Sequence, residues 1–191
     1  VHNSRSSAQA YRQNLMSYVI IAISVLILAF GAGAVLGAPW VPAFNQDIDE
    51  LLDLARVKKN TRFIDLGCGD GKILLAAARR RAQVTGYEIN PVMWLIAWLR
   101  LLPFGRRAHV RLGSYWGHTL KTYDVIWLYL IDHHMPRMAR KIRDEARENS
   151  YIISYIFFFF LVKLHKKTRN SFVYRGKSFA ILPDQIKYTD R

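Results

Sequence analysis

Apolar and polar residues alternate in blocks along most of this chain. Short apolar runs predict five strands: RFIDLG, QVTGYEI, AHVRLG, YDVIWLYL and SYIISYIFFFF. Amphipathic stretches between most of them predict three helices: GKILLAAARRRA, PVMWLIAWLRLL and MPRMARKIRDEAREN. Because strands that alternate with helices form parallel sheets, we expect an α/β fold whose mostly parallel sheet is covered by helices on both faces.

Weaker patterns flank these elements. A short amphipathic helix from Asn45 to about Val57 would bury Ile48, Leu51, Leu52 and Leu54. Near the end of the chain, SFVYRGKSFAIL predicts a terminal hairpin or a bent strand. The apolar run YIISYIFFFFLV is too short for a membrane span and suits a strand that is buried on both faces.

The longest apolar stretch precedes the predicted sheet. Residues 15–36 carry no charge over about the length that a helix needs to cross a bilayer, with Tyr18 near one end and Trp40 beyond the other. We therefore expect a single transmembrane helix, although Arg12 followed by an apolar stretch and GAGAVLGA also resembles a cleaved signal peptide. The expected organisation is a tail at 1–14, the helix at 15–36, a joint and short helix at 37–60, and one domain at 61–191.

The charge of the chain calls for a negatively charged neighbour. The 191 residues carry a net charge of +14, with basic clusters at 79–81, 106–107 and 165–167. Anionic lipid, nucleic acid or an acidic protein would balance it. Cys68 is the single cysteine, which excludes an internal disulfide and favours a reducing compartment.

Three glycines at alternate positions follow the first predicted strand. The stretch DLGCGDGKI places Gly67, Gly69 and Gly71 in the turn into the next helix, where glycine accepts positive φ and lets a ligand approach the backbone. The spacing fits neither a dinucleotide-binding fingerprint nor a phosphate-binding P-loop. A ligand without a diphosphate, such as one with an amino-acid tail, suits this turn better.

An acidic residue at the tip of the second predicted strand completes the pattern. Glu88 in GYEINP can accept hydrogen bonds from both hydroxyls of an adenosine ribose. An adenosine joined to an amino acid is S-adenosylmethionine, so we expect this cofactor. Taken alone, Glu88 could also be a solvated acidic residue in a loop. Asp65 would hold the turn or meet the ligand's ammonium group, and Cys68 would be a small filler.

Together, DLGCGDGKI and GYEINP resemble motif I and its acidic successor in class I S-adenosylmethionine-dependent methyltransferases. With the apolar stretch, PWVP and YDVIWLYLIDHHMPRM, the chain is similar to the membrane-anchored protein-lysine methyltransferases that act on the ATP synthase c-subunit and the adenine nucleotide translocase, and to their prokaryotic relatives. The resemblance implies a Rossmann-like class I methyltransferase fold and a substrate-side joint of Pro39, Trp40, Val41 and Pro42. It implies that the cofactor is bound by Asp65, Gly67, Cys68, Gly69, Gly71, Glu88, Ile89, Asn90, Ser114, Tyr115 and Trp116.

The sequence departs from this family after the third strand. Relatives commonly carry an acidic residue there that faces the adenine amino group, whereas RLGSYWG has Ser114. A serine can still form a hydrogen bond with adenine, and Tyr115 or Trp116 can pack on the ring.

Candidate catalytic residues follow the fourth strand. Tyr129, Asp132 and His133 are expected where the acceptor meets the methyl group, with Asp132 receiving a lysine ammonium and His133 assisting its deprotonation. Alternatively, Asp132 caps the next helix, and His133 and His134 are solvated. YLIDHH lacks the Pro-Pro turn of enzymes that methylate exocyclic base nitrogens, which argues against nucleic acid as a substrate. No metal is expected, since adjacent histidines point apart.

These observations predict an enzyme that transfers a methyl group from S-adenosylmethionine to a lysine of a membrane protein, with S-adenosylhomocysteine as product. It would be a single-pass protein of a prokaryotic cytoplasmic or mitochondrial inner membrane, with its catalytic domain on the side that contains the cofactor and its basic surface toward anionic lipid. A lipid, small-molecule or RNA methyltransferase and a non-catalytic cofactor-binding scaffold are the alternatives.

Overall fold

A computed structural model describes residues 11–21, 23–24, 45–130 and 134–182. From residue 45 onward its helices are α1 (Asn45–Leu54), α2 (Lys72–Arg79), α3 (Pro91–Leu101) and α4 (Met135–Glu145). Its strands are β1 (Arg62–Leu66), β2 (Gln83–Glu88), β3 (Ala108–Leu112), β4 (Val125–Leu128), β5 (Tyr151–Tyr155), β6 (Leu164–Lys167) and β7 (Ser171–Arg175). Two 3-10 helices follow α3 and β7, at Leu102–Arg107 and Gly176–Phe179.

The seven strands form one sheet in the order β3-β2-β1-β4-β5-β7-β6. The five strands from β3 to β5 pair in parallel, and β7 runs antiparallel to both β5 and β6. Strand order reverses between β1 and β4, because the chain builds outward from β1 to β3 and then returns to β1's other side. An open parallel sheet binds its ligands at the carboxyl ends of the strands beside such a reversal.

Side chains of successive strand residues enter two separate cores. Phe63, Val125 and Ile153 face the layer of α1, α2 and α3, whereas Ile64 and Ile126 face α4. This alternation is the period of two that a strand imposes, and it confirms the predicted parallel sheet with helices on both faces. The predicted apolar face of α4 is also confirmed, since Met135, Met138 and Ile142 are buried.

The last two predicted elements differ from the structure. The run SYIISYIFFFF was predicted as one strand, but β5 ends at Tyr155. Ile156 adopts a φ of 69°, which stops the extended backbone, and the Ser154 hydroxyl donates to the Phe157 carbonyl across the bend. The stretch SFVYRGKSFAIL was predicted as a terminal hairpin or a bent strand, but only its first residues form a strand, β7, and a 3-10 helix at Gly176–Phe179 follows. The strand that pairs with β7 is β6, which precedes this stretch and was not predicted.

The N-terminal predictions fall partly outside the described residues. Residues 11–21 and 23–24 are helical and their side chains are exposed. In the described part of the chain, no helix combines the length and the hydrophobicity that crossing a membrane requires. Most of the predicted span at 15–36 and the joint of Pro39, Trp40, Val41 and Pro42 lie outside the described residues.

Candidate functional site

The carboxyl ends of β1 and β2 bring the predicted cofactor residues together. The two strands are paired in register, with Asp65 opposite Gly86 and Leu66 opposite Tyr87. The glycine turn (residues 67–71) leaves β1, and Glu88 ends β2, so both lie at the same edge of the sheet. Gly113 follows β3 at this edge and donates its N–H to the Glu88 carbonyl at 2.8 Å.

Two glycines of the turn are required for different reasons. Gly71 has a φ of 77°, and a Cβ there would lie 2.9 Å from the Cβ of Ala97 on α3. Gly67 has a φ of 98°, but a Cβ there would meet nothing within 4 Å. Gly71 therefore allows α2 to pack closely against α3, whereas Gly67 keeps one side of the turn open.

The N–H groups of the turn are bound largely by β2. Gly67 and Cys68 both donate to the Tyr87 carbonyl, at 3.0 and 2.9 Å. Gly69 donates to Oε2 of Glu88 at 2.8 Å. The backbone of the turn is therefore fixed by its neighbouring strand before any ligand arrives.

Glu88 faces the glycine turn and is 9% exposed. Its second oxygen, Oε1, accepts from the backbone N–H of Asn90 at 2.8 Å. A carboxylate has about four lone-pair positions, so these two bonds leave acceptor capacity on both oxygens. Glu88 can hold the turn and also accept from the hydroxyls of a ligand.

Asp65 lies beneath the turn at the end of β1 and is 3% exposed. Burial raises the pKa of its carboxyl well above the ordinary value, and the nearby charges of Glu88 and Asp70 raise it further. Its side chain has no hydrogen-bond partner within the described residues. A positively charged ligand group is the partner that would stabilise its ionised form.

Cys68 is packed between the turn and β2. A Cβ on Gly86 would lie 2.8 Å from its sulfur, and burial, followed by the charges of Asp65 and Glu88, raises the pKa of the thiol well above its ordinary value. A buried thiol with a raised pKa is a poor nucleophile, which agrees with the expected role as a filler.

An ion pair that the sequence analysis did not identify closes the turn from outside. Arg100 of α3 donates through Nη1 to Oδ2 of Asp70 at 2.6 Å. Oδ1 of Asp70 also accepts from the N–H of Lys72 at 3.3 Å, where α2 begins. The acidic residue between two glycines was the available signal, but the partner on α3 is set by tertiary packing.

Ile89 and Asn90 have different environments in the structure. Ile89 is 40% exposed at the tip of β2, whereas Asn90 is buried and caps α3. The side-chain oxygen of Asn90 accepts from the N–H of Val92 at 2.9 Å and of Met93 at 3.3 Å. Asn90 therefore positions Glu88 and α3, and its predicted contact with the cofactor remains a prediction.

The residues after β3 lie beside Glu88. Ser114 is exposed, and its hydroxyl accepts from the N–H of Trp116 at 3.3 Å. The Tyr115 and Trp116 rings lie 5.0 Å apart, and Arg137 of α4 sits 4.0 Å from the centre of the Trp116 ring. Burial raises the pKa of Tyr115 to about 12, so this side chain is neutral.

Tyr129 directly follows the last residues of β4. It is half-buried, and its ring lies 6.2 Å from that of Tyr155 and 6.1 Å from that of Phe157. Asp132 and His133 lie outside the described residues. His134 precedes α4, with its ring 5.9 Å from Trp116.

Across the described ranges, no three His, Cys, Asp or Glu side chains are placed to hold a metal ion.

Two solved methyltransferases illustrate the similarity of the fold. An RNA methyltransferase from Salinibacter ruber, solved with S-adenosyl-L-homocysteine, has a TM-score of 0.64 and 22% identity, covering 78% of this chain and 98% of its own. An S-adenosylmethionine-dependent O-methyltransferase from Thermotoga maritima has a TM-score of 0.53 and 18% identity, covering 61% of this chain and 45% of its own. These likenesses confirm the Rossmann-like methyltransferase fold.

Curated relatives are similar over more than half of the chain. The ATP synthase c-subunit lysine N-methyltransferase of Xenopus laevis is 27% identical over 141 residues, or 71% of this chain and 61% of the relative. Its human counterpart is 27% identical over 120 residues, or 61% of this chain and 50% of the relative. A protein-lysine N-methyltransferase of Saccharolobus islandicus is 24% identical over 123 residues, covering 62% of this chain and 76% of its own length. The chain thus spans between half and two thirds of the two animal relatives.

The family model described as the ANTKMT methyltransferase domain matches residues 65–165. That range begins at Asp65, contains the glycine turn and Glu88, and extends beyond β5 into β6. It covers more than half of the chain, which therefore belongs to the ANTKMT methyltransferase domain family.

Proposed function

We propose that this chain is an S-adenosylmethionine-dependent protein-lysine N-methyltransferase. The observation that carries the proposal is the Glu88 carboxylate, which is buried at the tip of β2 and faces the glycine turn. The names of the animal and archaeal relatives, all lysine N-methyltransferases, support lysine as the acceptor.

The described residues fit S-adenosylmethionine. Gly67 leaves open space beside the turn, and Glu88 retains lone pairs for two ribose hydroxyls. The Asp65 carboxyl has no hydrogen-bond partner among the residues described and suits the ligand's ammonium group. When bound, the cofactor supplies an electrophilic methyl group on its sulfonium sulfur.

The protein's own contribution to such a reaction is mainly alignment in a site that excludes water. The turn and Glu88 would hold the nucleoside, and Tyr129 would face the acceptor. Burial raises the pKa of the Tyr129 phenol, so it stays protonated at neutral pH and can donate a hydrogen bond but cannot act as a base. In this proposal Asp132 receives the acceptor ammonium and His133 assists its deprotonation.

A membrane protein is the proposed source of the acceptor lysine. Two of the relatives are named for the ATP synthase c-subunit. We extend the proposal to residues 15–36 as a single membrane span and to Pro39, Trp40, Val41 and Pro42 as a joint beside the acceptor. The net charge of +14 would draw the domain toward anionic lipid on the side that contains the cofactor.

Two measurements test the proposal. Calorimetry of the full chain with S-adenosylhomocysteine should show binding, and an absence of heat would contradict the cofactor assignment. Labelled S-adenosylmethionine, incubated with the chain and native membranes, should place the label in protein as methyl-lysine. Label found in the lipid or RNA fraction instead would replace lysine as the acceptor, and calorimetric binding without any transfer would indicate a non-catalytic scaffold.

A further inference from the structure

The connection between β5 and β6 exposes a row of large apolar side chains. This apolar loop (residues 156–163) carries Ile156, Phe158, Phe160 and Leu161, which are between 43% and 68% exposed. Leu164, the first residue of β6, extends the row at 41% exposed. A contiguous apolar surface of this kind is typical of a site that meets a partner or a membrane.

The loop is held from inside, so its exposed residues belong to a defined surface. Phe159 is 2% exposed, and its N–H donates to the Tyr174 hydroxyl at 2.9 Å. Its ring lies 5.4 Å from the Tyr174 ring and 5.0 Å from the Phe179 ring. Val162 is buried as well, so inward and outward side chains alternate along the loop.

The charged residues that flank the apolar loop in the sequence are all basic. No acidic residue occurs from residue 149 to residue 182. Lys163, Lys166 and Lys167 are exposed beside the apolar row. Aromatic and aliphatic tips flanked by lysines match a bilayer surface with anionic headgroups, where rings and chains enter the acyl boundary and ammonium groups meet phosphates.

The loop also lies beside the candidate site. It leaves the carboxyl end of β5, the same edge at which β1, β2 and β4 end, because these strands are parallel. The Phe157 ring lies 6.1 Å from that of Tyr129. A surface that contacts the apolar loop is therefore next to the acceptor side of the site.

We propose that the apolar loop inserts into the surface of an anionic bilayer and so orients the site toward acceptors at that surface. The consequence for the acceptor rests on the proposed function, whereas the lipid contact does not depend on it. Single-stranded RNA is the rival occupant, since Phe158 and Phe160 could stack on bases. Ile156, Leu161 and Leu164 offer no ring for stacking but suit acyl chains, which favours lipid.

Site-specific fluorescence on the full chain tests this proposal. Leu161→Cys is labelled with an environment-sensitive dye, and the unsubstituted chain is the labelling control because Cys68 is buried. In vesicles of phosphatidylcholine and phosphatidylserine, we expect a blue-shifted emission and loss of most of the fluorescence to spin labels on the lipid chains. Leu99→Cys, an apolar position on α3 that is 52% exposed, is the matched control and should be quenched less.

Two further variants separate the apolar and electrostatic contributions. Adding Phe158→Ser and Phe160→Ser should remove most of the quenching at position 161, and circular dichroism checks that the variant is folded. Lys163→Glu with Lys166→Glu and Lys167→Glu should reduce quenching in anionic vesicles and leave phosphatidylcholine vesicles unaffected.

The proposal would be overturned if the dye at position 161 is not quenched, or if it is quenched no more than the dye at position 99. A shift of the dye on titration with oligouridine RNA, without any shift in vesicles, would overturn it in favour of RNA. Calorimetry with S-adenosylhomocysteine on the same preparation keeps the two proposals apart. Heat without quenching ends only the lipid proposal, whereas quenching without heat ends only the methyltransferase proposal.

Discussion

Around the ends of β1 and β2, the structure is joined by short polar contacts from backbone to backbone and from backbone to carboxylate. Gly67, Cys68 and Gly69 all donate to residues at the end of β2. Around the ends of β4 and β5, aromatic rings pack together, with Tyr129 against Tyr155 and Phe157. We refer to these two regions as the cofactor half and the acceptor half of the site.

The difference is consistent with the ligand that we propose for each half. A cofactor is the same molecule in every reaction cycle, so a rigid set of polar groups can be arranged for it in advance. A protein acceptor brings its own shape, and an aromatic surface can adapt to it while excluding water. Substitutions in the cofactor half should therefore change affinity or stability sharply, whereas those in the acceptor half should mainly change turnover.

The largest effect is expected from Glu88→Ala. It removes a carboxylate that holds Gly69 and Asn90 and that would accept from the cofactor ribose. With charge-assisted bonds at about 1.5–3 kcal/mol each, we expect affinity for S-adenosylhomocysteine to fall roughly 100-fold or more. Calorimetry measures this, with the exposed Glu148→Ala as control; equal affinities for Glu88→Ala and the unsubstituted chain would remove Glu88 from the site.

Two glycine substitutions should divide stability from binding within the cofactor half. Gly71→Ala combines a φ of 77° with a clash against Ala97, and should lower the free energy of unfolding by about 2–3 kcal/mol. Gly67→Ala adds a methyl group in open space, so it should cost about 1 kcal/mol of stability but weaken ligand binding more strongly. Urea unfolding and calorimetry on both variants provide the test. The reverse pattern would show that the ligand approaches from another side.

In the acceptor half, Tyr129→Phe keeps the ring contacts with Tyr155 and Phe157 and removes only the hydroxyl. If the hydroxyl orients the acceptor, kcat should fall about tenfold, the value of one hydrogen bond, with cofactor affinity unchanged. Steady-state kinetics with the labelled cofactor measure this. Tyr155→Phe, at a buried core position, is the matched control, and equal loss in both variants would mean that Tyr129 serves packing alone.

The two halves also differ in how far the sequence predicted them. The glycine turn and Glu88 could be predicted because each is recognised from its residue type and from its position at the end of a predicted strand. The Asp70–Arg100 pair could not, because Arg100 reaches the turn only through the packing of α3 against α2.

The predicted end of β5 was wrong for a similar reason. Apolar residues continue past Tyr155, and hydrophobicity alone does not reveal the left-handed backbone at Ile156. The strand β6 has exposed side chains and pairs with β7 through its backbone, so its basic sequence shows no apolar pattern. The β5–β6 region thus depends on tertiary contacts that periodicity does not record.

A smaller effect is expected from Asp65→Asn, with opposite signs for stability and binding. Burial first, and then Glu88 and Asp70, raise the pKa of Asp65 in the folded chain above its ordinary value of 3.8. Folding is therefore favoured by the protonated carboxyl, and stability declines as pH rises from that ordinary value through the raised one. At neutral pH, Asp65→Asn should stabilise the ligand-free chain, on the order of 1 kcal/mol.

The same substitution should weaken binding. A ligand ammonium favours ionised Asp65, so binding should release a proton and affinity should increase with pH in the unsubstituted chain but not in Asp65→Asn. Urea unfolding and calorimetry between pH 5 and pH 8, roughly the range in which folded proteins are most stable, measure both effects. A variant less stable than the parent would show that the carboxyl has a stabilising partner.

The smallest effect concerns Ser114, where relatives commonly carry an acidic residue. Its hydroxyl accepts from the Trp116 N–H, and an aspartate carboxylate can accept from the same group while offering a second oxygen to an adenine amino group. Ser114→Asp should therefore strengthen S-adenosylhomocysteine binding by one exposed hydrogen bond, about two- to tenfold. Ser114→Ala, which loses the Trp116 contact, is the control and should bind more weakly than Ser114→Asp. If the two variants bind equally, the adenine ring does not lie beside Ser114, which would also contradict the predicted packing of Tyr115 or Trp116 on that ring.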